Sequence, residues 1–345
     1  MRSTCIRALL IGLVFFLGAC ASSKEQDTVV GVDLPIVWPP SPNAPRVVFV
    51  KSISAPDDLG IKKGFFSSLA NAIFGDGEED NMIRPMAIVA NGEYVYVADT
   101  SVQGVHRYNP SKNEYELIKM VGDEPLLTPV GLALGNNGDV YVADSTRAQI
   151  FVIKYNSKIA EPLKLDLILK QPTGIAVDKV TGRLFVADTM DHRIHVFNTT
   201  GSLVQSIGER GDGAGQFNFP TLLSLSPQGE MYVTDSMNFR VQIFDVNGKF
   251  RSLFGKAGDG AGDASRPKGV ATDSYGHVYL VDSLFNAIQV FDKSGKILLS
   301  VGSIGNERGQ FWLPTGIFIG EGDLIYVADS YNRRVQVLRY IGGPT

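Results

Sequence analysis

Residues 45–56 read PRVVFVKSISAP. The run from Val47 to Ile53 has the β-branched, apolar composition of a strand. Proline-rich chain precedes it, and no alternating segment follows closely enough to form a hairpin with it. Its partner must lie far off in sequence, and finding that partner decides the fold.

The rest of the chain is a repeat. YVADTS at 96–101 returns as YVADST (141–146), FVADTM (185–190), YVTDSM (232–237), YLVDSL (279–284) and YVADSY (326–331). Asp99, Asp144, Asp188, Asp235, Asp282 and Asp329 are spaced by 45, 44, 47, 47 and 47 residues, and Ser or Thr follows each. Upstream of each stands a proline that opens a short apolar strand, as in PTGIAVD and PKGVATD. After each aspartate come a polar turn and an alternating strand, such as RIHVFN or RVQIFD. A fourth strand closes most units: LVQSIG (203–208), FRSLFG (250–255), ILLSVG (297–302). Period-two alternation between Gly, Asn and Asp turns marks all of these as strands. Four antiparallel strands per 44–47 residues, six times over, predict an all-β, six-bladed propeller. The sixth unit ends at VQVLRYIGGPT, one strand short, and FVKSIS (49–54) matches the pattern of LVQSIG. The isolated strand is therefore predicted to complete the last blade and close the ring; left open, the ring would expose unpaired strand edges and lose the contact between first and last blades.

At this point the chain resembles the NHL-repeat family. The resemblance rests on P-x-G-[IV]-A, on G-x-[IVL]-[YF]-V-A-D-[ST], on N-x-R-[IV]-Q-V-F, and on glycine-rich connections ending in GQF (208–217 and 302–311). It spans roughly Ile83 to Arg339. It implies the six-bladed fold and leaves function open, because related propellers include lyases, lactonases and binding modules.

The N-terminus reads as a targeting segment. Arg2 and Arg7 precede an apolar run, Ala8 to Phe16, too short to span a bilayer as a helix. LGAC, ending at Cys20, resembles the lipobox of bacterial lipoproteins. This implies a signal peptide over 1–19 and a lipid on Cys20. Ala21, where an aspartate is absent, implies sorting to the outer membrane. Residues 20–44 read as a polar, then proline-rich tether, and 45–345 as the propeller with an insert at 57–82. Cys5 leaves with the signal, so no disulfide or cysteine metal site is expected. Of 32 Lys and Arg, Arg2 and Arg7 are lost, against 36 Asp and Glu: a balance of −6. An acidic body argues against a nucleic-acid partner.

Candidate sites follow from the repeat. Equivalent aspartates on neighbouring blades lie about 10 Å apart, the spacing of packed sheets, too far to share one cation. They read instead as caps of the turns that follow them. Arg193, Arg240 and Arg334 stand five residues on, so bidentate clasps are expected for Asp188–Arg193, Asp235–Arg240 and Asp329–Arg334. Gly104, Gln149 and Ala287 replace the arginine in the other blades, whose turns are freer to carry specific contacts. His106, His192, His195 and His277 form no triad, so no metal, cofactor or catalytic residue is assigned. The glycine-rich GERGDGAG and GKAGDGAG lack a phosphate-loop lysine and a following helix. At the channel mouth, the residues after the first-strand prolines give the candidate binding set Lys268, Thr173, Thr221 and Thr315; Lys268 reads either as an anion contact or as a lysine that bends out to solvent. Ile61 to Gly75 reads as one short amphipathic helix, near residues 62–74, packed across an end of the propeller. The expected function is a lipid-anchored envelope protein that binds a protein, peptide or glycan through the loop-rich face carrying the aspartate turns. The alternative is a metal-dependent lyase or lactonase acting at the central channel.

Overall fold

The computed structural model describes residues 34–62 and 80–343. The helix expected near residues 62–74 falls on residues 63–79 almost entirely and so lies outside the described residues, as do the signal segment and Cys20. The described residues form six sheets, antiparallel except where Ala160 pairs parallel with Val121 in blade two, and their helical turns are all short 3-10 turns. Blade three shows the plan: Pro172–Val177, Leu184–Asp188, Arg193–Phe197 and Leu203–Ile207, in that order from the channel outwards. Blade two carries an added hairpin, Met120–Val121 with Glu124–Pro125, beside its short outer strand Ala160–Pro162.

The isolated strand lies where the repeat predicts. Val47–Ile53 pairs antiparallel with Arg334–Tyr340, with Val47 opposite Tyr340 and Ile53 opposite Val335. Val47 and Ile53 are fully buried. The tether reading needs a correction at its end. Val37–Trp38 pairs with Val48 and Val47, adding a fifth strand to blade six. Trp38 packs against the core between blades five and six, and apolar burial draws this stretch onto the ring.

The core is six clusters, one at each blade boundary. Phe185, Val196 and Ile207 of blade three meet Leu223, Val233 and Phe244 of blade four. Ile53, Val335 and Val337 of blade six meet Ile88, Val97 and Tyr108 of blade one, so closing the ring buries apolar area as any other boundary does.

The glycine of P-x-G has a steric cause. A Cβ on Gly174 would lie 2.4 Å from the Thr221 carbonyl oxygen, and one on Gly316 2.4 Å from that of Met86. The innermost strands touch backbone to backbone at this level. Ala87 and Leu222 replace the glycine in blades one and four. Gly174→Val is expected to cost at least about 2 kcal/mol by overpacking, whereas Ala87→Gly should cost under about 1 kcal/mol; urea unfolding of both variants checks the contrast.

Candidate functional site

In blades one to five the first-strand proline pairs with its blade's aspartate, as Pro220 with Asp235. The aspartate turns and the heads of the first strands therefore share one end of the propeller. The six aspartates are buried. Their carboxylates take up backbone amides just ahead of their own blade's first strand: Asp282 accepts from Ser265 N at 2.7 Å, and Asp235 from Asn218 N at 2.7 Å. In blades one, two and five they also accept from the turn that follows, as Asp282 does from Leu284 and Phe285.

Two expected clasps form, with one bond each instead of two. Arg240 Nε donates to Asp235 Oδ2 and Arg334 Nε to Asp329 Oδ2, both at 2.8 Å. The remaining guanidinium donors turn to the glycine-rich connections. Arg240 donates to the carbonyls of Asp212, Gly213 and Gln216, and Arg334 to those of Glu307 and Gln310. Gln242, Gln289 and Gln336, seven residues past their aspartates, accept from Gly215, Gly262 and Gly309 and fasten the same loops. These connections are thus pinned to the blade they lead into.

The third clasp does not form. Arg193 donates to the Gly208 carbonyl and lies 3.3 Å from Asp191. Asp191 stands where blades four and six carry Asn238 and Asn332, and its charge competes for the guanidinium. His195 occupies the position of the fastening glutamine, with Nε2 3.2 Å from Asp191 and 3.8 Å from Asp188. Burial pushes the His195 pKa down, against the pull of these two carboxylates. A histidine held below its ordinary value of 6.5 stays neutral in the fold, so the unfolded chain binds the extra proton first. Its contribution is complete above pH ~6.5 and lost as pH falls through the folded pKa. His195→Gln is expected to lessen the drop in melting temperature between pH 7 and pH 5, which calorimetry at both values checks.

The other histidines are dispersed. His106 Nδ1 pairs with Tyr115 Oη at 2.9 Å, His192 Nδ1 accepts from Phe219 N, and His277 Nδ1 pairs with Asp273 at 2.7 Å. Among the described residues no three of His, Cys, Asp and Glu gather as a metal site.

Of the threonines proposed as binding residues, Thr173 and Thr315 act between blades and Thr221 within its own. Thr173 Oγ1 donates to the Thr221 carbonyl at 2.8 Å and pairs with Thr189 Oγ1. Thr221 Oγ1 pairs with Ser236 Oγ, and Thr315 Oγ1 with Ser330 Oγ. The Ser or Thr after the aspartate completes the contact. Thr189, Ser236, Ser283 and Ser330 each donate to the proline carbonyl at the head of the next blade: Pro220, Pro267, Pro314 and Pro85. The last bond joins blade six to blade one. Sequence reasoning recorded this hydroxyl and gave it no role. The constant interval of 31 residues from Thr189, Ser236 and Ser283 to those prolines was the available signal.

Two features of this face remain after that accounting. Lys268, in register with the threonines, has no hydrogen-bonding or ionic partner among the described residues. Its pKa is pushed down by burial and by the Arg266 charge. The second feature is apolar. Met190, Met237, Leu284 and Tyr331, each two residues past its aspartate in blades three to six, are 44–54% exposed. Trp312, 49% exposed, lies against Tyr331 with ring centroids 5.6 Å apart. Blades one and two carry Ser101 and Thr146 at that position. The exposed apolar arc thus runs over blades three to six, of which only blade five was expected to carry the contacts, while blades one and two are polar there.

The opposite end is wider. A cavity of about 660 Å³ opens among the hairpins that join first and second strands, lined by Asn91, Asn136, Lys179, Gln228 and Phe318 among others. It narrows towards the P-x-G level, where a space of about 40 Å³ remains.

The NHL repeat model matches residues 126–153, 169–197 and 311–338. Peptidyl-glycine alpha-amidating monooxygenase of Mus musculus is 30% identical over 129 residues, which cover 33% of this chain and 13% of that protein. The chain therefore matches a small part of that relative's length. Virginiamycin B lyase from Staphylococcus aureus superposes with a TM-score of 0.57 at 16% identity, covering 75% of this chain and 96% of the lyase. An auxiliary nutrient binding protein from Bacteroides ovatus gives 0.60 at 14% identity, covering 76% and 70%. At such identities the likeness is one of fold alone. The sheet topology makes the chain a six-bladed β-propeller, and three of its blades, the second, third and sixth, match the NHL repeat.

Proposed function

We propose that the chain is a binding protein of a bacterial envelope, held at the outer membrane through a lipid on Cys20. It engages a protein or peptide through the face that carries the aspartate turns. The observation that carries this reading is the apolar arc of Met190, Met237, Leu284 and Tyr331, displayed at one turn position in four successive blades. Apolar side chains presented together on one rim mark an interaction surface more than scattered ones do. The turns beneath them are fixed by buried carboxylates and hydroxyl bonds between blades, so little ordering is lost on binding. Nutrient-binding propellers share the fold, which fits a binding role.

The test compares capture from envelope extracts by wild type, by a Met190→Ser, Met237→Ser, Leu284→Ser variant, and by a Lys179→Ser, Gln228→Ser variant at the opposite end. Partners lost only with the first variant support the reading. Equal capture by all three, or loss only with the second, overturns it. Membrane partition of Cys20→Ser checks the anchor separately: the variant is expected in the soluble fraction.

A further inference from the structure

Lys268 occupies a position that three other blades fill with threonine. The hydroxyls of Thr173 and Thr315 reach across the blade boundary, and that of Thr221 pairs with Ser236 of its own blade. In blade five Ser283 reaches Pro314 without such help, and Lys268 is left half-buried with no counter-charge among the described residues. The charge that acts on it is a second cation, Arg266, two residues back. Leaving a partly desolvated ammonium unpaired beside a like charge costs free energy, which a bound anion would offset.

The surroundings narrow the anion's chemistry. Ser236 Oγ donates to the Pro267 carbonyl at 3.3 Å, which sets the Met237 turn against the head of this strand. Ser283 N donates to the Arg266 carbonyl at 3.0 Å, which sets the Leu284 turn beside Arg266. The two cations are thus flanked by two exposed apolar side chains. The nearby amides of Ser265, Arg266, Leu284 and Phe285 already donate to Asp282. A phosphate, which is usually cradled by several backbone amides, finds these four already taken. A carboxylate needs fewer donors, and two cationic side chains supply them.

We propose that Lys268 and Arg266 form an anion site at the head of blade five, whose ligand is a carboxylate on an apolar arm. The proposal rests on the reading of this face as the binding surface and adds the ligand's chemistry to it. Such a group could be a peptide's free C-terminus or a fatty acid, and the probes below separate the two.

The experiment uses the mature full-length chain and three probes: an N-acetylated peptide ending in Leu-Phe with a free carboxylate, the same peptide as its C-terminal amide, and sodium dodecanoate. Lysines are ¹³C-dimethylated so that the Lys268 methyl signal, assigned by its loss in Lys268→Thr, reports its titration. The acid peptide is expected to bind at least about tenfold more tightly than the amide. Binding should raise the Lys268 pKa, and affinity should fall as pH rises through it. Lys268→Thr installs the residue of three sister blades and should fold; it is expected to erase the difference between acid and amide, and Arg266→Gln to reduce it. Dodecanoate binding in place of the peptide would assign the site to fatty acids.

No movement of the Lys268 signal with either carboxylate at millimolar concentration overturns the proposal, as does equal binding of acid and amide. Envelope partners lost with the Met190→Ser, Met237→Ser, Leu284→Ser variant but fully retained by Lys268→Thr overturn it too, and leave the face reading intact. Partners unaffected by the apolar-arc variant sink the face reading itself.

Discussion

Ile53→Asp is expected to open the ring. Ile53 is fully buried where blade six meets blade one, among Ile88, Val97, Val335 and Val337. The substitution removes a buried aliphatic side chain, worth about 2–5 kcal/mol when truncated, and places a carboxylate in an apolar cluster that offers it no cation. A loss of at least about 4 kcal/mol is expected, a large share of the total stability of a typical domain. Urea unfolding with a scattering measurement of size reads both consequences: an earlier transition, and a larger radius before it. A variant that unfolds like wild type would show that closure contributes little and that five blades hold the sixth without it.

The second large effect concerns the aspartate clasps. Asp235→Ala removes the acceptor of Arg240 Nε, Asn238 Nδ2, Gln242 Nε2 and the Asn218 amide at one stroke. Arg240 is itself buried, so its charge loses its only carboxylate partner among the described residues. Breaking such a pair from one side costs about 3–5 kcal/mol. Asp188→Ala in blade three is expected to cost less, because Arg193 does not contact Asp188 and keeps Asp191. Chemical unfolding of the two variants side by side gives the comparison. Equal losses would mean that the amides ahead of each first strand, and not the arginine, carry the value of the aspartate.

The repeat made the architecture legible. Interval, alternation and the one missing strand were enough to place Val47–Ile53 against Arg334–Tyr340, because strand faces and pairing follow from local pattern. What lay between blades was less legible. Thr173 and Thr315 read as free side chains at a channel mouth, yet their hydroxyls are taken by the next blade. A single repeat does not reveal how closely its neighbour packs, and the P-x-G glycine, whose role is that close approach, acquires meaning only when two first strands are seen together. The unpartnered lysine was legible as an exception to its column. The apolar arc was not, because Met190, Met237, Leu284 and Tyr331 are chemically unlike one another, and only their shared exposure at one turn position joins them. The Asp188–Arg193 clasp failed for a local reason: Asp191, where blades four and six carry Asn238 and Asn332, holds the guanidinium instead.

The pairing of Val47 with Tyr340 also sets a timetable. A ribosome makes the closing strand ahead of all six repeats and its partner only after five of them. The early strand has to wait, unpaired, while every blade is synthesised. A chain released prematurely keeps two raw edges, the kind that cells recognise and destroy. Arrival of the sixth repeat thus becomes the condition for a closed ring.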